Sequence, residues 1–449
     1  VKSVVITGKI LDKCEPINPL APVNKIIGEP FVTDIYIINI CMKLLHFYFD
    51  NKGSQHNGLT AGAVHHISKL TNTDPGIMTC GKNLFTENFV DSKGITWTPA
   101  DDSERYFYPI CCTHPMNDSL LNNRYTGYAF FDIPDKVITD CRNNDARVLL
   151  FETWEGDPWW HYMEMITDIC RSNKGLKPCH FIVVSGNLAM PIDAPFAHVD
   201  LMWFQTMVQP NVDFEHIKHL IETDTVRPYH FLLMNRRPAP HRLAIIHHLW
   251  EHRNQGAISF SVWNNMIDNV YLRTQELYEL DNDKLTIIKN KLPLRLDDGV
   301  DPETNPVMDD SIQKFLDSHL QVIPETFYGC KQLEEQMFFS EKTFKPMQFL
   351  QPFVLINYVN SLVALREAGY ETFSKWINED YDTIENLQDR TLAVGETVKA
   401  FCTLSPKDAA SIRKDMLPVL EHNYHQRIKN SKELDNNMYG RLHAAFKVI

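Results

Sequence analysis

Two patterns of apolar and polar positions take turns along the chain. One is the short, nearly unbroken apolar run: Ala146–Phe151, His180–Val184, Ala257–Ser261, Leu320–Pro324 and Phe353–Ile356. Runs of this kind are what strands of a parallel sheet need when both faces are covered. The other is the return of apolar residues at helical spacing, as in Met163, Met165, Ile166 and Ile169, and again in Leu243, Ile246, Leu249 and Trp250. Strand and helix signals that alternate in this way predict an α/β fold. Val4–Leu11 also reads as a strand, and Ser361–Glu367 as a helix ending at Gly369. Periodicity leaves Ile35–Phe49 and Phe196–Val208 open between strand and helix. Residues 383–449 read as helices.

Other stretches carry less pattern. A proline-rich loop (Pro16, Pro19, Pro22, Pro30) follows the first strand, and residues 50–75 are rich in Gly, Asn, Thr and His. His65-His66 reads as part of a helix before Ile67 and Leu70; structural use and an acceptor-side base are the two readings. Residues 76–145 hold short strand-like pieces among aromatics and fit an insertion that shapes the acceptor side. Residues 264–318 are charged and helix-prone. Their acidic loop, Asp297-Asp298-Gly299-Val300-Asp301-Pro302, lacks calcium-loop spacing and reads as solvated. At 449 residues the chain fits two domains of roughly 200 residues each. The polar stretch Gln209–Arg227 crosses between them, which sets expected domains of 1–220 and 221–405, with helices 406–449 packing back on the first.

Chemistry concentrates at strand ends. In Phe338-Phe339-Ser340-Glu341-Lys342-Thr343-Phe344-Lys345-Pro346, Ser340 caps a helix that Pro352 would end, and Glu341 sits in its first turn. A carboxylate, an ammonium and free N–H groups at one helix start, with Thr343 beside them, suit a ligand carrying hydroxyls and phosphates, such as a nucleotide. Upstream, His230-Phe231-Leu232-Leu233-Met234-Asn235-Arg236-Arg237-Pro238-Ala239-Pro240-His241-Arg242-Leu243 is again strand, loop and helix. Asn235, Arg236 and Arg237 stand at the carboxyl end of the strand, where open α/β sheets bind ligands. Paired guanidiniums match phosphate oxygens. His241 and Arg242 open the helix, and Glu325-Thr326 closes the strand before the Glu341 helix, facing the same cleft as Glu341; His241, Arg242, Glu325 and Thr343 join the residues expected to bind the nucleotide. In the first half, Ala146–Phe151 runs into Glu152-Thr153-Trp154-Glu155-Gly156-Asp157. Glu155 or Glu152 is the candidate catalytic base; the plainer alternative has Asp157 capping the next helix and both glutamates as bystanders. Trp154, Trp159 and Trp160 pack, or stack on a sugar or base. Ser185-Gly186-Asn187 makes a turn through which backbone approaches a ligand closely.

These stretches together resemble a group of glycosyltransferases and glycosyltransferase-like proteins of tailed phages, other large viruses and some bacteria, distantly similar to the fucosyltransferase and exostosin groups. The resemblance covers Arg227 to about Arg390 and includes "LLMNRRPAPHRLAII", "VIPETFYG", "FFSEKTFKPMQFLQPFVLI" and "REAGYETFSKWINEDYD". It implies that Glu341 holds the donor's ribose, that Lys342 neutralises its diphosphate, and that Arg236 or Arg237 binds phosphate. With length it implies two Rossmann-like domains facing a cleft, the GT-B arrangement. Residues 1–220 would then be the acceptor side and 221–405 the nucleotide-sugar side. The donor would be a nucleotide diphosphate sugar, with no other cofactor and no metal, since three cations replace it and no D-x-D motif stands at a strand end.

Composition narrows the partners. The net charge of −13 argues against a protein built mainly to grip nucleic acid, although residues 227–253 hold five arginines and five histidines against the single acid Glu251. The phage character of the resemblance implies a hydroxymethylated pyrimidine in viral DNA as acceptor, extruded from the stack. The acidic charge favours a glycan, a lipid-linked sugar or a protein. A non-catalytic binding protein with the same fold, or another nucleotide-dependent enzyme such as a pyrophosphorylase, are the alternatives. Ten scattered cysteines without C-x-x-C spacing read as free thiols of a reducing compartment. No apolar run approaches the roughly 18 residues of a membrane span, so the expectation is a cytoplasmic protein, in host cytoplasm if viral.

Overall fold

Side-chain alternation along the strands decides how the sheets are packed. The computed structural model describes residues 45–47, 89–90, 95–97, 105–111, 133–152, 159–200, 202, 205, 208, 212–235, 238–260, 267–296, 312–326 and 336–447. Its first sheet is formed by β1 (Leu45–Phe47), β2 (Phe89–Val90), β3 (Ile95–Trp97), β4 (Tyr106–Cys111), β5 (Ala146–Glu152), β6 (Phe181–Ser185) and β7 (Ala197–Asp200). The order is β2-β3-β1-β4-β5-β6-β7, parallel throughout except for β2, which runs antiparallel to β3. In β6, Phe181 and Val183 face one core and Ile182 and Val184 the other. The first core is closed by α1 (Asp135–Arg142) and α2 (Trp159–Ser172), through Val137, Cys141, Tyr162, Ile166 and Ile169. A strand buried on both faces has no polar alternation to show, which is why it reads as an apolar run.

After α3 (Phe214–Glu222) comes a second sheet of β8 (Tyr229–Asn235), β9 (Gly256–Phe260), β10 (Ser318–Pro324) and β11 (Phe353–Ile356), in the order β11-β10-β8-β9 and parallel throughout. Its crossovers carry α4 (Pro240–Leu249) after β8, α5 (Ile267–Leu277), α6 (Asn282–Lys289) and α7 (Ile312–Leu316) between β9 and β10, and α8 (Glu341–Gln348) between β10 and β11. Then follow α9 (Ser361–Glu367), α10 (Leu387–Cys402), α11 (Pro406–Asp415) and the long α12 (Leu417–Lys447). The fold is thus mixed α/β with two sheets, the second parallel throughout and the first parallel except at its β2 edge. Register aligns Pro324 with Ile356 and Asn235 with Phe260, so β8, β9, β10 and β11 end at one rim.

The two halves are joined by α12. Near its start, Arg427 donates to the carbonyls of Val208 at 2.7 Å and Gln205 at 3.4 Å. Near its end, Arg441 pairs with Asp200 at 2.5 Å, and the Phe446 ring meets Phe107 edge-on at 5.2 Å between centroids. The Arg147 guanidinium lies 4.9 Å from the Phe446 ring centre, within cation–π range. The second face of the first sheet is therefore covered by α12.

Several expectations meet the structure differently. The weakly patterned residues 76–145 supply three strands of the first sheet and α1. Residue 220, the expected boundary, falls inside α3, although the sheets themselves separate between Asp200 and Tyr229. Helix α8 stops at Gln348, before Pro352. Leu350 takes a left-handed conformation (φ 47°), which lets Gln351 N–H bond back to the Pro346 carbonyl at 3.0 Å. This is a Schellman turn with leucine where glycine is usual. The buried Arg413 secures it by donating to the Phe349 and Leu350 carbonyls at 3.0 and 2.7 Å. Val4–Leu11, the proline-rich loop, His65-His66 and the acidic loop 297–302 lie outside the described residues. Cys141, Cys170, Cys179 and Cys402 are free thiols. Burial pushes Cys141 and Cys402 up to about 12 and Cys170 up to about 11, so these three are poor nucleophiles. Among the described residues no helix is long and apolar enough to cross a membrane.

Gly256 has a packing reason. It opens β9 in register with Phe231, and a Cβ there would stand 2.2 Å from that ring. Gly256→Ala is expected to cost about 1–3 kcal/mol through overpacking, read as a lowered melting temperature. An unchanged melt would mean that the ring moves aside freely.

Candidate functional site

At the carboxyl rim of the second sheet the first fixed point is Glu325, the residue after β10 and fully buried. Its Oε1 accepts from Ser340 N–H at 3.0 Å and from Thr343 Oγ1 at 2.5 Å. Its Oε2 accepts from Ser340 Oγ at 2.5 Å and from Thr326 N–H at 3.0 Å. Both oxygens are therefore occupied twice, which is the accepting capacity of a carboxylate. Glu325 and Thr343, expected from the sequence to meet the nucleotide, are both fully buried and bonded to each other instead. They fix the start of α8, and the reason is that Glu325 enters the cap of the next helix rather than the cleft. Ser340 is the N-cap, its hydroxyl accepting Lys342 N–H at 3.3 Å.

On this support stand Glu341 and Lys342, both partly exposed. Lys342 Nζ lies 3.1 Å from Ser340 Oγ, 3.2 Å from Thr326 Oγ1 and 3.3 Å from Glu341 Oε1. Burial alone would raise the Glu341 carboxyl. The Lys342 and Lys345 ammoniums, with hydrogen bonds from backbone and from Lys342, outweigh it and hold the carboxyl below its usual range. From α4, Arg242 Nη2 reaches the same Thr326 hydroxyl at 3.5 Å. An ammonium and a guanidinium thus converge on one oxygen. The sequence named Arg242 and Lys342 separately; the hydroxyl between them becomes visible only when β10 brings Thr326 alongside α4.

His241, one residue earlier on α4, is buried and donates Nε2–H to the Glu325 backbone carbonyl at 2.8 Å. Burial, then the neighbouring Arg242, depresses its pKa well below the ordinary imidazole value; the carbonyl bond opposes them and Lys342 adds to them. His241 is neutral and locks α4 to the end of β10. Asn235, the last residue of β8, is buried, and neither Nδ2 nor Oδ1 finds a hydrogen-bond partner among the described residues. A buried amide left in this state costs about 1–3 kcal/mol and calls for a further partner. Arg236 and Arg237 follow it and lie outside the described residues.

The first sheet contributes the opposite side. Leu188 N–H donates to the Met337 carbonyl at 2.8 Å, and Met337 N–H to Asn187 Oδ1 at 2.9 Å. Asn187 also accepts Ala189 N–H at 2.9 Å and is fully buried. The turn Ser185-Gly186-Asn187, read from sequence as a ligand approach, instead grips the segment that leads into α8. Glu152 ends β5 level with Ser185 of β6; its side chain, and all of Glu155, Trp154 and Asp157, lie outside the described residues. A pair that sequence reasoning missed is Ser185 Oγ and His198 Nε2, 3.1 Å apart across β6 and β7. Only strand register could have revealed it. Among the described residues no group of three or more His, Cys, Asp or Glu side chains is placed to hold a metal ion. No family model matches the chain, and no curated protein and no solved structure matches it.

Proposed function

We propose that the protein is a glycosyltransferase that moves a sugar from a nucleotide diphosphate donor to an acceptor hydroxyl, with the two sheets as the two halves of a GT-B arrangement. The observation that carries this reading is the convergence of Arg242 and Lys342 on Thr326 Oγ1, at the start of α8 and the carboxyl rim of a parallel sheet. Two cations and a helix start suit a diphosphate, whose charge grows as the glycosidic bond breaks. Arg236 and Arg237 follow Asn235 in the sequence, and this reading assigns them to the same diphosphate. Glu341, kept ionised by its lysines, suits ribose hydroxyls, and the unsatisfied amide of Asn235 suits a further polar edge of the donor. The tie between Asn187 and Met337 supports a cleft shared by both sheets. On the acceptor side the best reading is a hydroxymethylated pyrimidine in DNA. A glycan or protein acceptor is the second reading, and the net charge of −13 favours it.

The test is a thermal-shift screen of nucleoside diphosphates and nucleotide sugars against the wild type and Lys342→Ala. A bound ligand at a hundred times its dissociation constant adds about 2.7 kcal/mol. Selective stabilisation by one nucleotide, lost in Lys342→Ala while the unliganded melt stays put, is the expected result. A flat panel sinks the reading in favour of a binding protein that keeps the scaffold. With the donor in hand, transfer to modified duplex that falls as salt rises separates DNA from a small acceptor.

A further inference from the structure

Ser185 closes β6, and His198 stands in β7 level with Val183. Parallel register and the two-residue pleat put Val183, Ser185, His198 and Asp200 on one face of the first sheet. His198 Nε2 lies 3.1 Å from Ser185 Oγ, and that oxygen also accepts the Asn187 N–H at 3.3 Å. Ser185 is fully buried, so its hydroxyl is placed to orient the ring and not to attack a substrate. His198 is only partly buried. The tautomer that can act as a base here is the one in which Nε2–H donates to Ser185 Oγ and Nδ1 keeps its lone pair. The charged groups acting on the ring are Asp200, farther out on the same strand, and Arg441 of α12, which pairs with Asp200. Burial outweighs Asp200 and pushes the imidazole down to about 4, so the ring is unprotonated at neutral pH.

The location matters as much as the pair. Ser185 is followed directly by the turn whose Asn187 and Leu188 hold Met337, just ahead of Glu341 and Lys342. The imidazole therefore belongs to the end of the first sheet that abuts the proposed donor site.

From this placement we propose that His198 is the base that takes the proton from the acceptor hydroxyl, with Ser185 as its positioning residue. This rests on the sugar-transfer reading. In the step, the acceptor O–H proton goes to His198 Nδ1 and the freed oxygen pair forms the new bond to the anomeric carbon. The bond from that carbon to the diphosphate oxygen breaks, and its electron pair leaves with the nucleoside diphosphate. No oxidant or further reactant is needed.

The experiment uses the full chain and a panel of UDP-, GDP- and dTDP-sugars, reading nucleoside diphosphate release with water or an added acceptor. His198→Gln is expected to lower kcat by about 10²–10⁴-fold. Donor KM and melting temperature should hold. His198→Ala should regain part of the rate when imidazole is added, which a merely structural role would not give. Ser185→Ala should lower kcat without raising donor KM. An active wild type with a full rate in His198→Gln overturns the assignment and leaves the sugar-transfer reading intact. Equal loss in both His198 variants with no imidazole response overturns it as well. A wild type that neither binds nor cleaves any donor removes the reading and this inference together.

Discussion

Glu325→Ala is expected to destabilise the protein by about 5 kcal/mol and to abolish nucleotide stabilisation with it. The carboxylate takes four hydrogen bonds while fully buried, and two of its donors are the backbone N–H groups of Ser340 and Thr326. Each buried donor left without a partner costs about 1–3 kcal/mol. The total is a large share of the roughly 5–15 kcal/mol by which domains are folded. A fall of roughly 10 °C in melting temperature should follow, with faster amide exchange at Ser340, Lys342 and Thr343 as the start of α8 frays. Glu325→Gln keeps one accepting oxygen and turns an N–H₂ towards donors, so about half the loss is expected. The contrast with Lys342→Ala is diagnostic, since that side chain is partly exposed and its removal should affect ligand binding and little else. If Glu325→Ala melts within about 2 °C of the wild type, Glu325 is not what fixes the helix start.

A steep loss of stability below pH 6.5 is the second expected result. His319 accepts Arg227 N–H through Nε2 at 3.2 Å; burial, then Arg413, Arg227 and His230, push its pKa down to about 3. His198 and His248 are pushed down to about 4, in both cases by burial first. His180, His241 and His247 shift the same way, again by burial first. In the unfolded chain these rings take a proton near pH 6.5, and in the folded protein His198, His248 and His319 take one only at about 4, about 4 and about 3. Between those values the unfolded state binds more protons, so stability falls as pH falls, by about 1.4 kcal/mol per unit for each fully engaged ring. His198, His248 and His319 together reach about 4 kcal/mol per unit on that scale. Asp382 and Glu379, raised by burial, work in the opposite sense and recover part of it. Melts at pH 7.5, 6.5 and 5.5 in matched salt should drop by roughly 5–10 °C over the last step. His319→Gln supplies an amide oxygen for Arg227 N–H, and whatever it costs at pH 7.5, its pH slope should be shallower. Equal melting temperatures at 7.5 and 5.5 would show that these rings are not held neutral.

Legibility followed the range of the interaction. The run Phe353–Ile356 and the helix Ser361–Glu367 were bounded to the residue from sequence, because covered strands and capped helices announce themselves locally. The Ser340 cap was legible for the same reason. Glu325 was read as a ligand contact because its position after a strand is local, while its four donors come from the next helix and loop. The Ser185–His198 pair depends on how β6 and β7 align, which no periodicity encodes. The Schellman turn at Leu350 hid behind Pro352 because a leucine there gives no glycine signal and its support, Arg413, is far along the chain. Strands β1, β2 and β3 were missed or left undecided because two or three residues are too few for a period to show.

Helix α12 also sets an order of events during synthesis. Arg441 meets Asp200 across 241 residues, and Phe446 covers Phe107 and Arg147 from farther still. At about 5–20 residues per second, the covering residues leave the ribosome roughly 10–70 s after the strand they cover. Through that interval the face of the first sheet carrying Phe107, Leu149, Ile182 and Val184 lacks its partner. The nascent first half must therefore wait, apolar and half-clad, and closing it is a late docking step made by a helix whose Arg441 lies 241 residues beyond Asp200.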